Sequence, residues 1–226
     1  MDNLPKGKTI VCVFAHPDDE SFGPAGTIYR LAQQNNVYII CVTNGDAGDN
    51  RSKDKTRPLG EIRQDELEAS SRLLGVKKVF FLNFADGSLS NLLYHKIAEG
   101  IEKISQKLKP SIFLTWEFRG VSGHIDHIAI SFITTYVSKK LPFVKQVYYY
   151  CLDKEHRKPI KKYFIYFPPG YKDSQIDWKH DVSDIWHHKV AAMKLHRSQT
   201  KDVRRILNRY KNNKLSKVEN FIILHK

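Results

Sequence analysis

Cysteine is scarce in this chain: Cys12, Cys41 and Cys151 make an odd set with no Cys-x-x-Cys spacing. Such a set does not build a disulfide framework and agrees with a reducing compartment. Cys12 and Cys41 lie in β-branched apolar runs, where a thiol acts as a small buried hydrophobe. Long apolar runs are missing too. No stretch approaches the roughly 18–20 apolar residues of a spanning helix, and Met1–Lys8 lacks the apolar centre of a signal peptide. The expectation is a cytoplasmic protein without a transmembrane anchor of its own. No Gly-x-Gly-x-x-Gly follows the first apolar run, so a dinucleotide fingerprint is absent, and there is no internal repeat or low-complexity tract. Negative charge is in deficit: 24 acids stand against 37 Lys and Arg, a net charge of +13.

What is present suits one α/β domain over residues 1–226, with 41% hydrophobic residues. Thr9–Phe14 and Val37–Val42 read as buried strands, Lys78–Leu82 and Ser111–Thr115 as two more. Helical spacing falls between them at Gly26–Gln34, Gly60–Leu74 and Leu92–Leu108, with Gly75 as a C-cap and Pro110 as a stop. This alternation predicts a Rossmann-like, doubly wound, mostly parallel sheet with helices on both faces. The core spans 8–140 and includes a helix from His124 to about Ser138. Residues 141–226 supply an aromatic strand hairpin (Gln146–Cys151 with Tyr163–Phe167), a basic helix or helix pair over Val182–Tyr210, and a terminal strand at Asn220–Leu224.

In an open α/β sheet, ligands bind beyond the carboxyl ends of the strands, where strand order reverses. For the order 3-2-1-4-5 that crevice lies between strands one and four. His16-Pro17-Asp18-Asp19-Glu20 follows strand one, and His124-Ile125-Asp126-His127 follows strand four. Two metal-competent clusters more than a hundred residues apart therefore converge. Catalytic zinc takes three ligands from His, Asp and Glu and keeps a position for water. The clusters offer more groups than that, so the surplus can serve as acid and base. His-Pro-Asp-Asp taken alone is also an ordinary turn, and His-x-x-His alone an ordinary helix start; their joint position at the switch point carries the inference.

The charge excess is concentrated: Lys194–Lys217 holds nine Lys and Arg against one acid, Asp202. This stretch reads first as a solvated basic helix face, and secondarily as a nucleic-acid surface or a partner for a substrate phosphate. His187-His188 reads as part of an exposed helix, and Tyr148-Tyr149-Tyr150 as strand packing.

Ala15-His16-Pro17-Asp18-Asp19-Glu20, Gly26-Thr27-Ile28, Thr43-Asn44-Gly45-Asp46-Ala47-Gly48, Arg63, Glu66, Asp86-Gly87 and Gly123-His124-Ile125-Asp126-His127 resemble the PIG-L/LmbE-like family of zinc-dependent N-deacetylases. The likeness continues through Lys189, His196-Arg197-Ser198-Gln199 and Glu219-Asn220-Phe221, over nearly the whole chain. The resemblance implies the LmbE-like fold and zinc on His16, Asp19 and His127, a set that iron(II) also fits. It makes Asp18 the general base and His124 a charged aid to the oxyanion. Asp126 would orient His124 or His127, and Arg63, Asp86 and Glu20 would bind or support the sugar. The implied reaction removes an N-acetyl group from an N-acetylglucosamine-type sugar or glycoconjugate; a non-sugar N-acyl hydrolase and a basic nucleic-acid-binding module are the alternatives. Nucleic acid is not the expected partner, and a homo-oligomer is compatible. Several family members place a tyrosine just before the first histidine of the later motif, where this chain has Gly120-Val121-Ser122-Gly123.

Overall fold

The computed structural model describes residues 4–155, 166–212 and 216–226. Its first strand, β1 (Thr9–Phe14), alternates between two cores: Val11 and Val13 enter one, Ile10, Cys12 and Phe14 the other. A strand buried on both faces must sit mid-sheet, and β1 pairs in parallel with β2 (Asn36–Thr43) and β4 (Ile112–Trp116). β2 in turn pairs with β3 (Lys78–Phe84), and β4 with β5 (Gln146–Cys151). The antiparallel strands β7 (Val218–His225) and β6 (Trp178–Asp181) complete a seven-stranded sheet of order β3-β2-β1-β4-β5-β7-β6.

The short helix α1 (Asp19–Phe22) and α2 (Ala25–Ala32) follow β1, α3 (Leu59–Leu73) follows β2, and α4 (Tyr94–Leu108) follows β3. A kinked turn, α5 (Gly120–Gly123), and α6 (Ile125–Lys140) follow β4; α7 (Trp186–Leu195) and α8 (Thr200–Lys211) precede β7. Ile97 and Ile101 of α4 and Ile130, Ile133 and Val137 of α6 cover one face. Ile28 and Leu31 of α2 and Ala192 of α7 cover the other. The doubly wound sheet and the crevice between β1 and β4 agree with the expectation from sequence.

The C-terminal portion differs in detail. β6 has no apolar run, because it is a short edge strand with only His180 buried. The expected hairpin strand Tyr163–Phe167 begins in residues 156–165, outside the described residues; β7 is the antiparallel neighbour of β5. The basic stretch forms two helices joined by a 3₁₀ turn at Arg197–Gln199; its residues 213–215 also lie outside the description. No helix among the described residues is long and apolar enough to cross a membrane.

One tie fixes these two portions to each other. Helix α2 has no side-chain cap of its own, since Pro24 occupies the N-cap. Glu219 of β7 supplies it, accepting the amides of Gly26 at 3.0 Å and Thr27 at 2.7 Å. The same carboxylate pairs with the fully buried Lys189 at 2.7 Å, whose ammonium also donates to the Gly23 carbonyl. Gly26 has to be glycine, because a Cβ there would meet Val182 at 2.6 Å. Removing one member of a buried ion pair leaves an uncompensated charge, so Lys189→Met should cost about 3–5 kcal/mol in denaturant unfolding. Glu219→Gln added to it should restore part of that loss. A single-variant cost below about 1 kcal/mol would show that the pair does not hold the fold together.

Candidate metal centre and cleft

His16 stands just beyond β1, Asp19 opens α1, and His127 lies in the first turn of α6. His16 Nδ1 lies 3.1 Å from His127 Nε2, and His127 Nε2 lies 3.1 Å from Asp19 Oδ1. His16 Nδ1 is 3.7 Å from Asp19 Oδ2. Ligands bonded at about 2.0–2.1 Å in a tetrahedron are about 3.3 Å apart, so the two 3.1 Å separations at His127 Nε2 fit a zinc-sized ion.

The opposite side of each ligand settles which atom faces inward. His16 Nε2 meets Asp86 Oδ1 at 3.0 Å and Asp126 Oδ2 at 3.2 Å, leaving Nδ1 for the centre. His127 Nδ1 meets the Gly120 carbonyl at 3.2 Å, leaving Nε2. Asp19 Oδ2 accepts the amides of Ala15 and His16 and the Trp116 indole N–H at 2.9–3.1 Å, leaving Oδ1. Two imidazole lone pairs and a carboxylate oxygen thus point at one another, an arrangement that a cation or a proton must relieve. Burial works against protonation of His16, but Asp126, Asp19 and Asp86 outweigh it and hold its pKa well above 6.5. Burial likewise opposes ionisation of Asp19, and the contacts with His127 and His16 still keep its pKa well below the usual range.

Asp18 lines the cleft beside this cluster, and Arg63 reaches it from α3 at 2.9 Å. Burial pushes Asp18 up to about 6, with the Arg63 charge offsetting part of the effect. Arg63 is itself buried, donating to the carbonyls of Gly45 at 2.6 Å and Pro17 at 3.1 Å. Gly45, at φ 71°, makes that approach feasible, since a Cβ would lie 2.5 Å from the guanidinium.

His124 caps α6: its Nδ1 accepts the Asp126 amide at 3.2 Å, and its ring stacks on His127 at 4.9 Å. Burial first, then the neighbouring His127 and His16, lower its pKa to about 4. The bond from the Asp126 amide occupies Nδ1, which leaves Nε2 to carry the ring proton. The Asp126 carboxylate meets His16 and the amides of Gly87 and Leu89, and its own amide meets His124.

The cleft encloses about 610 Å³ and takes in His16, Asp18, Asp19, Arg63, Asp86, His124 and His127. Glu20 does not reach it. Fully buried, it accepts Ser70 at 2.5 Å and contacts His196 at 2.8 Å. Glu66 similarly holds Ser198 through its amide and hydroxyl, both at 2.7 Å. These contacts dock the C-terminal helices beside the cleft, and one row of the basic helix, exposed Lys201 with half-buried Arg205 and Arg209, lines it.

Two residues were missed from sequence. Trp116 ends β4, stacks on His127 at 4.6 Å and donates to Asp19. Glu117, next in the chain, accepts the Arg119 and Val121 amides at 2.7 Å and the Tyr171 hydroxyl at 2.6 Å. It thereby shapes the turn carrying Gly120, with Val121 held at φ 58°, an outlying conformation for a β-branched residue. Their place at the carboxyl end of a central strand was the available signal. No tyrosine stands at 120–123; among the described residues, Tyr150 and Tyr210 are the tyrosines lining the cleft.

A family model described as GlcNAc-PI de-N-acetylase, PIG-L, matches residues 11–138, more than half of the chain. A Bacillus cereus protein described as a probable N-acetyl-alpha-D-glucosaminyl L-malate deacetylase 2 is 30% identical over 84% of this chain and 83% of its own length. N,N'-diacetylchitobiose deacetylase from Pyrococcus horikoshii has a similar structure, with TM-score 0.69 and 22% identity over 96% of this chain and 84% of that one. The 4-carboxy-2-hydroxymuconate hydratase GalB from Pseudomonas putida scores 0.70 at 15% identity, with 97% of both chains covered. Fold alone therefore does not specify the reaction.

Chelator-treated protein titrated with Zn²⁺ against a chromophoric indicator is expected to bind one equivalent. Trp116→Phe keeps an aromatic ring against His127 but removes the donor to Asp19, and should weaken binding about 10–100-fold. Asp19→Ala should weaken it further. Unchanged affinity in Asp19→Ala would place the metal elsewhere.

Proposed function

The chain belongs to the PIG-L family, and we propose that it is a zinc-dependent N-deacetylase acting on an N-acetylglucosamine-type sugar or glycoconjugate. The observation that carries this reading is the inward convergence of His16 Nδ1, Asp19 Oδ1 and His127 Nε2, with Asp18 beside them in one cleft. The relatives named above for acting on N-acetylglucosaminyl malate and diacetylchitobiose support the sugar.

Zinc held by the three ligands would polarise the acetyl carbonyl and make an attacking water more acidic. Asp18 is the base that takes the proton from that water. Arg63 keeps its carboxylate aimed into the cleft, and Asp18 then returns the proton to the departing amine. His124, with Nδ1 engaged by the Asp126 amide, offers its Nε2–H to the oxygen that gains charge as the carbonyl becomes tetrahedral. Asp126 and Asp86 act through His16, fixing its tautomer and orientation. Asp86 has a second contact, with Arg63 at 3.8 Å, and lines the cleft where a sugar hydroxyl could reach it.

Asp18→Asn should retain one zinc per chain and lose about 10²–10⁴-fold in kcat, measured as free amine released from an N-acetylglucosamine glycoside. Turnover near the wild-type value would remove Asp18 from the base role. Release of amine that persists after complete removal of metal would reject the zinc-dependent reaction.

A further inference from the structure

We propose that Lys201, Arg205 and Arg209 form an anion subsite in the same cleft, so that the substrate carries a phosphate or carboxylate remote from its acetamide. The reaction assigned to that substrate rests on the deacetylase reading; the anion subsite does not.

The three cations stand at i, i+4 and i+8 on α8, a spacing that places them in one row. All three line the cleft that contains His16 and His127. Arg204, on the same helix, is exposed and lies outside the cleft lining. The row is therefore not part of a uniform basic coat. Arg205 and Arg209 are half-buried, which is costly for a guanidinium that serves only to solubilise a helix.

Their contacts hold these groups at the rim. Lys201 meets Asp49 at 2.9 Å, and Arg205 meets Asp202 at 2.7 Å. Water-accessible pairs of this kind contribute little and are readily exchanged for a ligand anion. Burial first, and then the nearby Arg205 charge, lower the pKa of Arg209, so the two guanidiniums lie within each other's field. A bound anion relieves that repulsion, and the guanidinium fork suits phosphate and carboxylate oxygens.

The remainder of the cleft divides accordingly. Its floor acids, Asp18, Asp19 and Asp86, are already engaged by Arg63, His16 and His127. Phe22, Val121, Leu152 and Ile206 supply an apolar wall. Polar recognition at the floor, an apolar wall and a basic row match a sugar with a charged aglycone. A concave site of about 610 Å³ does not match a nucleic-acid duplex.

Calorimetry on the zinc-loaded protein tests this with deacetylated ligands: glucosamine 1-phosphate, a glucosaminide of a hydroxy acid, and neutral methyl glucosaminide. At least one charged ligand should bind about tenfold more tightly than the neutral one, and the better arm identifies the anion. Arg205→Gln/Arg209→Gln should reduce that ratio to under about twofold, with each single variant giving part of the loss. The charge-matched Arg204→Gln/Lys211→Gln should retain the ratio. Equal affinities in the wild type, no measurable binding of either charged ligand, or a ratio that survives the Arg205/Arg209 change would overturn the subsite. Assays of the N-acetylated counterparts separate the two readings. Charge-selective binding without acetate release sinks the deacetylase reading alone, and acetate release without charge selectivity sinks the subsite alone.

Discussion

The Asp19 carboxylate is the constraint on which the site depends. Three donors saturate one of its oxygens: two from the backbone leaving β1 and one from the indole that ends β4. A carboxylate so held cannot rotate, and its other oxygen must face His127. Adjacent parallel strands are what make this feasible, because β1 and β4 deliver their ends to the same point. The histidines are fixed by the same logic, each anchored through the nitrogen that does not face the centre. Preorganisation of this kind places the cost of gathering charge in folding and leaves little reorganisation for binding.

The C-terminal portion is tied to this centre by buried polar contacts. Glu219 caps α2, Glu20 meets His196, and Glu66 grips Ser198. None of these carboxylates lines the cleft. Glu20 and Glu66 stand on the helices that also carry Asp19 and Arg63, and Glu219 holds the next helix, α2, so the C-terminal portion buttresses the loop after β1 from behind. Such contacts explain why motif residues far apart in sequence look functional while acting at a distance from the reacting atoms.

Much of this was legible in the sequence because of periodicity and order. Thr9–Phe14 was identified to the residue, since a strand buried on both faces is a continuous apolar run bounded by polar turns. Strand order and residue type brought the runs His16–Glu20 and His124–His127 to one crevice, and the family resemblance selected His16, Asp19 and His127 among them. β6 was not legible, because a four-residue edge strand with one buried side chain carries no periodic signal. Glu20 was misplaced for a related reason: sequence puts it in the ligand motif but does not tell which way a side chain leaves a one-turn helix. The tautomer of His124 was hidden as well, since it depends on a capping bond to the Asp126 amide.

The two halves of the cleft are built by different means. The floor comes from strand ends and short turns, where a shift of an ångström would separate the three ligand atoms. The rim comes from α8, an amphipathic helix with only Val203 fully buried, whose cleft-facing positions repeat every fourth residue. A change at Lys201, Arg205 or Arg209 alters what the cleft presents to a ligand without moving a strand. The chemistry is thus bound to the sheet, and selectivity to a helix that can vary one residue at a time. On that division, substrate differences among chains sharing this floor should follow the charge and shape of the helix row that closes it.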